Sequence, residues 1–288
     1  MKKAILIGMV CLLLICSGCG LLNRDKVKAE PEVVDYHKGT EGLVLKLLKG
    51  SPPEKIWKES DFFIGVELKN KGAYDIENAI IKLHGFNPKY VIPSEREERT
   101  GTLHGKSPGY PEGDYKIVEF KETNVIAPPG KEPLSFTVSA EYDYKTEAST
   151  VVCISPELNP LIKTKEKICE IKEISLSGGQ GAPVAVITVN EIPGYKSGKL
   201  NLKFIIDIED KGKGEVLGDI IVEEAKLSNQ NIQCDPSTLK LDKKKGRIKC
   251  EIDLDRPSGP YESILLVKLS YKYKTKVDEK IEVISEIE

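Results

Sequence analysis

The sequence predicts an all-β protein built as two tandem β-sandwich domains behind an N-terminal export or anchor segment. Three observations lead there. Apolar residues alternate with polar ones along most of the chain, and no stretch holds a helical period over three turns. Turn-forming Gly, Pro and Asn break this alternation at short intervals. Four cysteines downstream of the N-terminal segment form two pairs with the same spacing.

The N-terminus has the layout of an export signal. Lys2 and Lys3 precede an uncharged apolar run from Ala4 to Ile15, followed by Ser17, Gly18 and Cys19. The run is short for a membrane span, which needs about 20 apolar residues. Extended to Leu22 it becomes long enough for an uncleaved anchor. Either form leaves the remainder outside the cytoplasm, because the positive charges come first. Residues 1–18 therefore read as the signal peptide and 19–39 as a polar tether around "NRDKVKAEPE".

The first strand set occupies 40–155. "GLVLKLL" (42–48) opens it. "FFIGVELKNKG" (62–72) alternates Phe62, Ile64, Val66 and Leu68 before an Asn-Lys-Gly turn, and "IENAIIKLHGF" (76–86) follows. "YKIVEFKETNVI" (115–126), "LSFTVSAEYDYK" (134–145) and "STVVCI" (149–154) complete it. A short helix is an option near 52–60. The connection 156–182 begins with two prolines and ends in Ser and Gly, so 177–181 reads as a hinge. The second set, 183–288, runs through "APVAVITVNEI" (182–192), "KLNLKFIIDIEDKG" (199–212), "VLGDIIVEEAKLSN" (216–229), "STLKLD" (237–242), "GRIKCEIDLD" (246–255), "SILLVKLSYKYK" (263–274) and "KIEVI" (280–284).

The two sets look like distant copies. "LKNKG" (68–72) and "IEDKG" (208–212) each end an alternating strand, and "YDYKT" (142–146) and "YKYKT" (271–275) each precede a final strand. Read as ordinary hairpins, the tyrosines would line an exposed or half-buried face.

Cys153 and Cys169 are sixteen residues apart, as are Cys234 and Cys250. Three pairings are open. Cys153–Cys169 and Cys234–Cys250 are favoured, since each closes a local loop; a loop of that size stabilises by about 3 kcal/mol in the chain-entropy description. Zinc is disfavoured because neither pair has close ligand spacing. Disulfides fit a life outside the cytoplasm.

Two resemblances arise from these residues. Ser17-Gly18-Cys19 resembles the lipobox of prokaryotic lipoproteins, with Cys16 standing where Leu is usual, and implies lipidation of Cys19. The run Phe62 or Ile64, Val66, Leu68, Asn70 and Gly72 resembles CARDB-like and related immunoglobulin-like modules of uncharacterised exported archaeal and other prokaryotic surface proteins. That resemblance implies two immunoglobulin-like sandwiches and a role in adhesion or display, and it supplies no catalytic residues.

Charge and motifs narrow the function. The chain carries 43 basic and 45 acidic residues, a formal net charge of −2, so it has no bulk signature for nucleic acid. Cleavage before Cys19 removes Lys2 and Lys3 and no acid, giving −4. His37, His84 and His104 are the only histidines, and none has metal-ligand spacing. No nucleophile elbow or phosphate loop occurs. "DIEDKGKGE" (207–215) lacks the calcium-loop register. Glu251, Asp253 and Asp255 share a strand face that reads as solvated opposite lysines. No metal or cofactor is expected. Trp57, the only tryptophan, reads as core.

The long loop 93–114 is the candidate binding surface, with Arg96, Arg99, His104 and Tyr110 as its candidate contacts. Three readings follow. The first is a non-catalytic, membrane-anchored surface protein with a structural or adhesive role and a surface protein or glycan as partner. The second is a carbohydrate- or peptide-binding module using the loop. The third is a secreted hydrolase with a dispersed site in which His84 or His104 meets a carboxylate and a serine.

Overall fold

The computed structural model describes residues 34–93, 96–125, 132–156 and 168–284, and the compact unit runs from Tyr36 to Glu288. The signal peptide, Cys19 and the tether up to residue 33 lie outside the described residues.

The described chain is all-β, without a helix. Its first part forms β1 (Leu43–Leu47), β2 (Lys55–Trp57), β3 (Asp61–Asn70), β4 (Ile76–Glu77), β5 (Ile80–His84), β6 (Val91–Pro93), β7 (Glu97–Arg99), β8 (Thr102–Leu103), β9 (Tyr115–Val125) and β10 (Glu132–Ile154). The second part forms β11 (Ile174–Ser175), β12 (Val184–Lys196), β13 (Lys199–Asp210), β14 (Glu215–Leu227), β15 (Gln230–Asn231), β16 (Gln233–Asp235), β17 (Thr238–Leu239), β18 (Lys245–Leu254) and β19 (Tyr261–Ile284).

Period two decides which face each strand buries. In β3, Phe62, Ile64, Val66 and Leu68 are buried, and in β13 so are Leu200, Leu202, Phe204, Ile206 and Ile208. Burying each such side chain contributes roughly 1.5–3 kcal/mol. β3 lies in a four-stranded sheet of order β1-β3-β9-β6, and β13 in a five-stranded sheet of order β11-β12-β13-β18-β16. Between the two chain halves runs an eight-stranded sheet whose main path is β15-β14-β19-β10-β5-β7.

The centre of that sheet joins the halves. All 23 residues of β10 pair antiparallel with β19, from Glu132↔Val283 to Ile154↔Tyr261. "STVVCI" and "KIEVI", read from the sequence as separate final strands, are the continuations of β10 and β19. The intervening polar residues are not turns. Thr146 faces inward, its hydroxyl on Val184 O and Tyr271 Oη, while the outward acids of β10 pair across strands: Lys82 and Lys274 flank Glu141 at 2.9 and 3.7 Å, and Lys268 bridges Glu147 and Glu224 at 3.4 and 3.1 Å. Each exposed pair adds little stability, but together they let a charged strand face stay in the sheet.

The inward face of this pair is aromatic. Tyr142 lies opposite Tyr273 and Tyr144 opposite Tyr271, placed evenly about Asp143↔Lys272. All four side chains are buried, so the tyrosines do not line an exposed face, and their edges meet at ring distances of 5.6–6.4 Å. Burial pushes all four hydroxyls well above the ordinary tyrosine range.

Each hydroxyl has a partner, and the partners repeat between the halves. Leu43 N donates to Tyr142 Oη at 3.0 Å, and Val184 N to Tyr271 Oη at 3.4 Å. Leu43 pairs with Asn70 in one sheet, as Val184 pairs with Asp210 in the other. Tyr144 Oη donates to Asn70 Oδ1 at 3.5 Å, and Tyr273 Oη to Asp210 Oδ1 at 2.9 Å. Those same oxygens accept from Gly72 N and Gly212 N. The copied "NKG" and "DKG" turns are thus the sockets of the copied tyrosines. Both glycines are needed for space: a Cβ on Gly72 would lie 2.6 Å from Gly181 O and collide with Tyr144 Oη, and one on Gly212 would meet Tyr273 Oη and Pro183.

The sockets differ in one respect. Asn70 Nδ2 donates to Tyr74 O and Leu103 O at 2.8 and 3.0 Å. Asp210 has no such donor. Lys244 supplies it, with Nζ 3.3 Å from Asp210 Oδ2 and bonded to Gly212 O and Gly214 O at 3.1 Å each.

Both disulfides join the cysteines sixteen apart, Cys153–Cys169 and Cys234–Cys250. Two local expectations are overturned. The span 52–60 holds the short strand β2, not a helix, and Trp57 is 53% exposed. Ile56 takes the inward position of β2, so alternation turns Trp57 to solvent. The Ser-Gly stretch read as a hinge is also held. Gly39 N donates to Gly178 O, Gly181 N to Gly39 O, and the buried Gln180 side chain exchanges hydrogen bonds with Val186.

Lys244→Met is expected to destabilise by about 2 kcal/mol or more, because it strips a buried carboxylate of its cation. Asp210→Asn in the same background is expected to restore much of the loss, imitating Asn70. Urea unfolding of the single and double variants checks both. Trp57 is expected to fluoresce as a solvent-exposed indole, quenched by acrylamide equally well in native and unfolded protein.

Candidate functional site

The short ladder of β4 with β8 builds the site. Ile76 pairs with Leu103, so Asp75 and His104, each one residue outside the ladder, come side by side. Asp75 Oδ1 accepts from Gly105 N at 2.8 Å, and Oδ2 lies 3.3 Å from His104 Nδ1. The Gly105 amide first, and His104 beside it, hold the Asp75 carboxyl below the ordinary range. His104 stacks on Tyr110 at a ring distance of 4.7 Å. Tyr110 is fixed by paired backbone bonds with Ser107 and by Gly113 N on its carbonyl. A cleft of about 610 Å3 opens alongside, lined by Tyr74, Asp75, Glu77, Asp143 and Lys145 among others. Lys145 Nζ lies over the Tyr74 ring at 5.4 Å, and burial pushes the Tyr74 hydroxyl up to about 12.

The loop 93–114 therefore divides. His104 and Tyr110 come together with Asp75. Arg96 and Arg99 go elsewhere: Arg96 O accepts from Leu83 N, and Arg99 sits in β7 opposite Ile80, 3.8 Å from Glu97. A stacked aromatic pair beside a fixed carboxylate can hold a sugar ring or a planar group through its face and its hydroxyls.

The geometry of an acyl-transfer site is not assembled at either described histidine of interest. His104 meets a carboxylate but is bonded to no serine among the described residues. His84 Nε2 lies 3.1 Å from Ser139 Oγ, but the neighbouring Asp278 takes its hydrogen bond from Thr137 and pairs with Lys276. Both residues lie on the paired face of β5 and β10, where backbone N–H groups are used in the ladder. Such amides cannot aim at a developing oxyanion.

The acidic clusters are structural. Asp207 holds Arg247 and Thr188, and Asp210 is the tyrosine socket. Asn201 Nδ2 bridges Glu251 and Asp253 at 2.8 and 2.6 Å, while Lys196, Lys249 and Lys203 surround Glu251. No group of three potential metal ligands occurs among the described residues.

Sequence reasoning missed Glu191. It is 5% exposed, on the inner face of β12 opposite Phe204, and its Oε1 has no hydrogen-bond partner. Burial pushes its carboxyl up to about 7, opposed only by a hydrogen bond from the Cys153 backbone. The signal was present: an acid at an inward position of "VITVNEI" breaks the alternation.

No protein-family model matches the chain, and no curated protein does. Solved structures give low-scoring likenesses. The secreted serine protease VesC from Vibrio cholerae is 12% identical at a TM-score of 0.21, over 85% of this chain and 52% of that one. The C-terminal globular domain of an oligosaccharyltransferase from Pyrococcus abyssi is 10% identical at 0.21, over 80% and 45%. The CupB6 tip adhesin from Pseudomonas aeruginosa is 9% identical at 0.18, over 87% and 98%. The chain thus spans about half the length of the first two.

Glu191→Gln gives a test of its burial. A carboxyl raised in the folded state loses stability as pH rises from its unfolded value, about 4.5, through about 7. The variant is expected to flatten that fall and to be more stable than the parent at pH 8, by about 2–3 kcal/mol. Urea midpoints from pH 4 to 8 measure it.

Proposed function

We propose that the chain is an exported, membrane-anchored cell-surface protein with a non-catalytic structural or adhesive role. On this reading residues 1–18 are removed, Cys19 carries the lipid, and the two equivalent halves are CARDB-like, immunoglobulin-like sandwiches presented outside the cell. The observation that carries it is where the buried polar chemistry is spent. The four core tyrosines, Asn70, Asp210 and Lys244 all tie one sheet to another. The two disulfides are consistent with a protein outside the cytoplasm.

A second reading is supported by the Asp75–His104–Tyr110 cluster and by the adjoining cleft, which shares Asp75 with it; together they suit a carbohydrate or peptide ligand on the surface of the same protein.

Intact mass spectrometry of the protein from native membranes is expected to show a chain beginning at Cys19, heavier by a lipid and lighter by two disulfides. An unmodified Cys19 overturns the lipid anchor. For the second reading, a glycan array probed with the parent and with a His104→Ala, Tyr110→Ala variant decides: binding lost in that variant and kept in Arg96→Ala, Arg99→Ala supports the cluster, and no difference between the two variants removes it.

A further inference from the structure

Glu191 is a carboxyl in the core with one oxygen, Oε1, that nothing among the described residues binds. Native cores rarely keep such an atom. The rest of the carboxyl reaches across the molecule: the Cys153 amide of β10 donates to it. β10 and β12 belong to different sheets and to different halves of the chain.

That hydrogen bond is one of a row. Thr146 Oγ1 donates to Val184 O at 2.6 Å, Cys153 N to Glu191, and Tyr195 Oη to Pro156 O. β12 therefore runs beside the end of β10 in the same direction, and a side chain takes part in each of these joins. Pro193, between Glu191 and Tyr195, has no amide hydrogen to add.

The other half has the same seam made differently. Cys153 stands as far beyond Tyr142 in β10 as Glu282 stands beyond Tyr271 in β19. Beside Glu282 lies β2, which pairs parallel with β19 from Glu282↔Lys55 to Ile284↔Trp57. There Glu282 N donates to Glu54 O and Lys58 N to Ile284 O, at 3.0 Å each. The Cys153 amide is thus held by a side-chain carboxyl where its counterpart is held by a backbone carbonyl. A carbonyl has one charge state at any pH; a carboxyl has two.

The surroundings give the charged state no cation. β10 has no ionisable side chain from Ala148 to Val152, and Glu262, opposite Cys153 on β19, is exposed. On β13, Phe204 lies opposite Glu191, while Lys203 and Asp207 alternate onto the other face, towards Glu251 and Arg247. Lys196 of β12 also turns to Glu251, at 3.9 Å. The chain from Cys169 to β11 carries Glu170, Lys172 and Glu173, all exposed. Burial dominates the carboxyl and the Cys153 amide alone opposes it. Once ionised, Glu191 has a single N–H to set against a buried charge.

We propose that Glu191 is a pH-operated latch on the seam between the two halves: its neutral carboxyl holds the end of β12 to the Cys153 amide, and its ionised form lets that end go while β2 stays bound to β19. Released, the end of β10 is an open strand edge, the form in which a sheet accepts a strand from another chain. A carboxyl that ionises at about 7 when closed and near 4.5 when open favours closure below 4.5 and loses that advantage as pH rises to about 7.

Amide exchange of the full-length protein, followed by NMR from pH 4.5 to 8 and corrected for intrinsic rates, reads the latch. Protection of the Cys153 amide is expected to fall at least tenfold across that range, and that of the Glu282 amide to hold within about twofold. In Glu191→Gln, which keeps an acceptor for Cys153 N and carries no charge, the Cys153 protection is expected to stay level. Level protection at Cys153 in the parent overturns the latch. An equal fall at Cys153 and Glu282 also overturns it, since the whole fold then loosens rather than one seam. A fall that persists in Glu191→Gln overturns the assignment to Glu191. If that variant does not fold, the carboxyl carbon of Glu191 in the parent decides: a titration midpoint near 7 supports the latch, and one near 4.5 overturns it.

Discussion

A tyrosine hydroxyl in a protein core has to be hydrogen-bonded, and here four of them sit together where two long strands cross the middle of the molecule. The backbone groups of their own sheet are used by the ladder, and only Tyr271 finds a partner there, the Thr146 hydroxyl at 3.0 Å. Each reaches into a facing sheet, to a backbone amide or an Asx side chain at the end of a strand. The distance between sheets, the tight turns after Asn70 and Asp210, and the need for glycine at 72 and 212 all follow from that requirement. Apolar burial supplies most of the stability, but it would tolerate many arrangements. The hydroxyls tolerate few.

The halves obey the same rule by different chemistry. In one, a neutral amide both receives the tyrosine and donates to two carbonyls. In the other, a carboxylate receives the tyrosine and a lysine from another turn does the donating. A single residue's work has been divided between two, and the second of them brings a strongly basic turn with it.

Much of this was legible. Alternation in "FFIGVEL" and "KLNLKFIIDI" gave strand, face and core residues together, because one side of each strand is buried. The cysteine spacing gave both disulfides. The repeated "NKG/DKG" and "YDY/YKY" motifs were visible as copies. That one motif binds the other was not, since a pairing over 60 to 75 residues leaves no trace in local pattern. "KTEAST" and "KTKVDEK" interrupt the apolar alternation and so broke each long strand in two; the continuous β10–β19 ladder, the inward Thr146 hydroxyl and the Lys268–Glu147 pair keep them extended. Trp57 was misjudged because residue type was weighed over parity, and in β2 Ile56 already holds the inward place. In the candidate site, His104 and Tyr110 were legible as a loop pair, but their carboxylate, Asp75, is delivered by a two-residue ladder too short to recognise. Arg96 and Arg99 were grouped with them by sequence proximity alone.

The pairing of β10 with β19 also sets an order of events in time. Its partners are separated by 107 to 151 residues, so the contact that completes the core is among the most distant in the chain. Closing so long a loop is entropically slow relative to forming local hairpins. Until β19 is available, β10 presents a long open edge of the kind that recruits strands from other chains. Its outward run of Glu141, Asp143, Lys145 and Glu147 makes a poor template for such pairing. The charges that pair across the finished sheet are therefore also a safeguard while the sheet is unfinished.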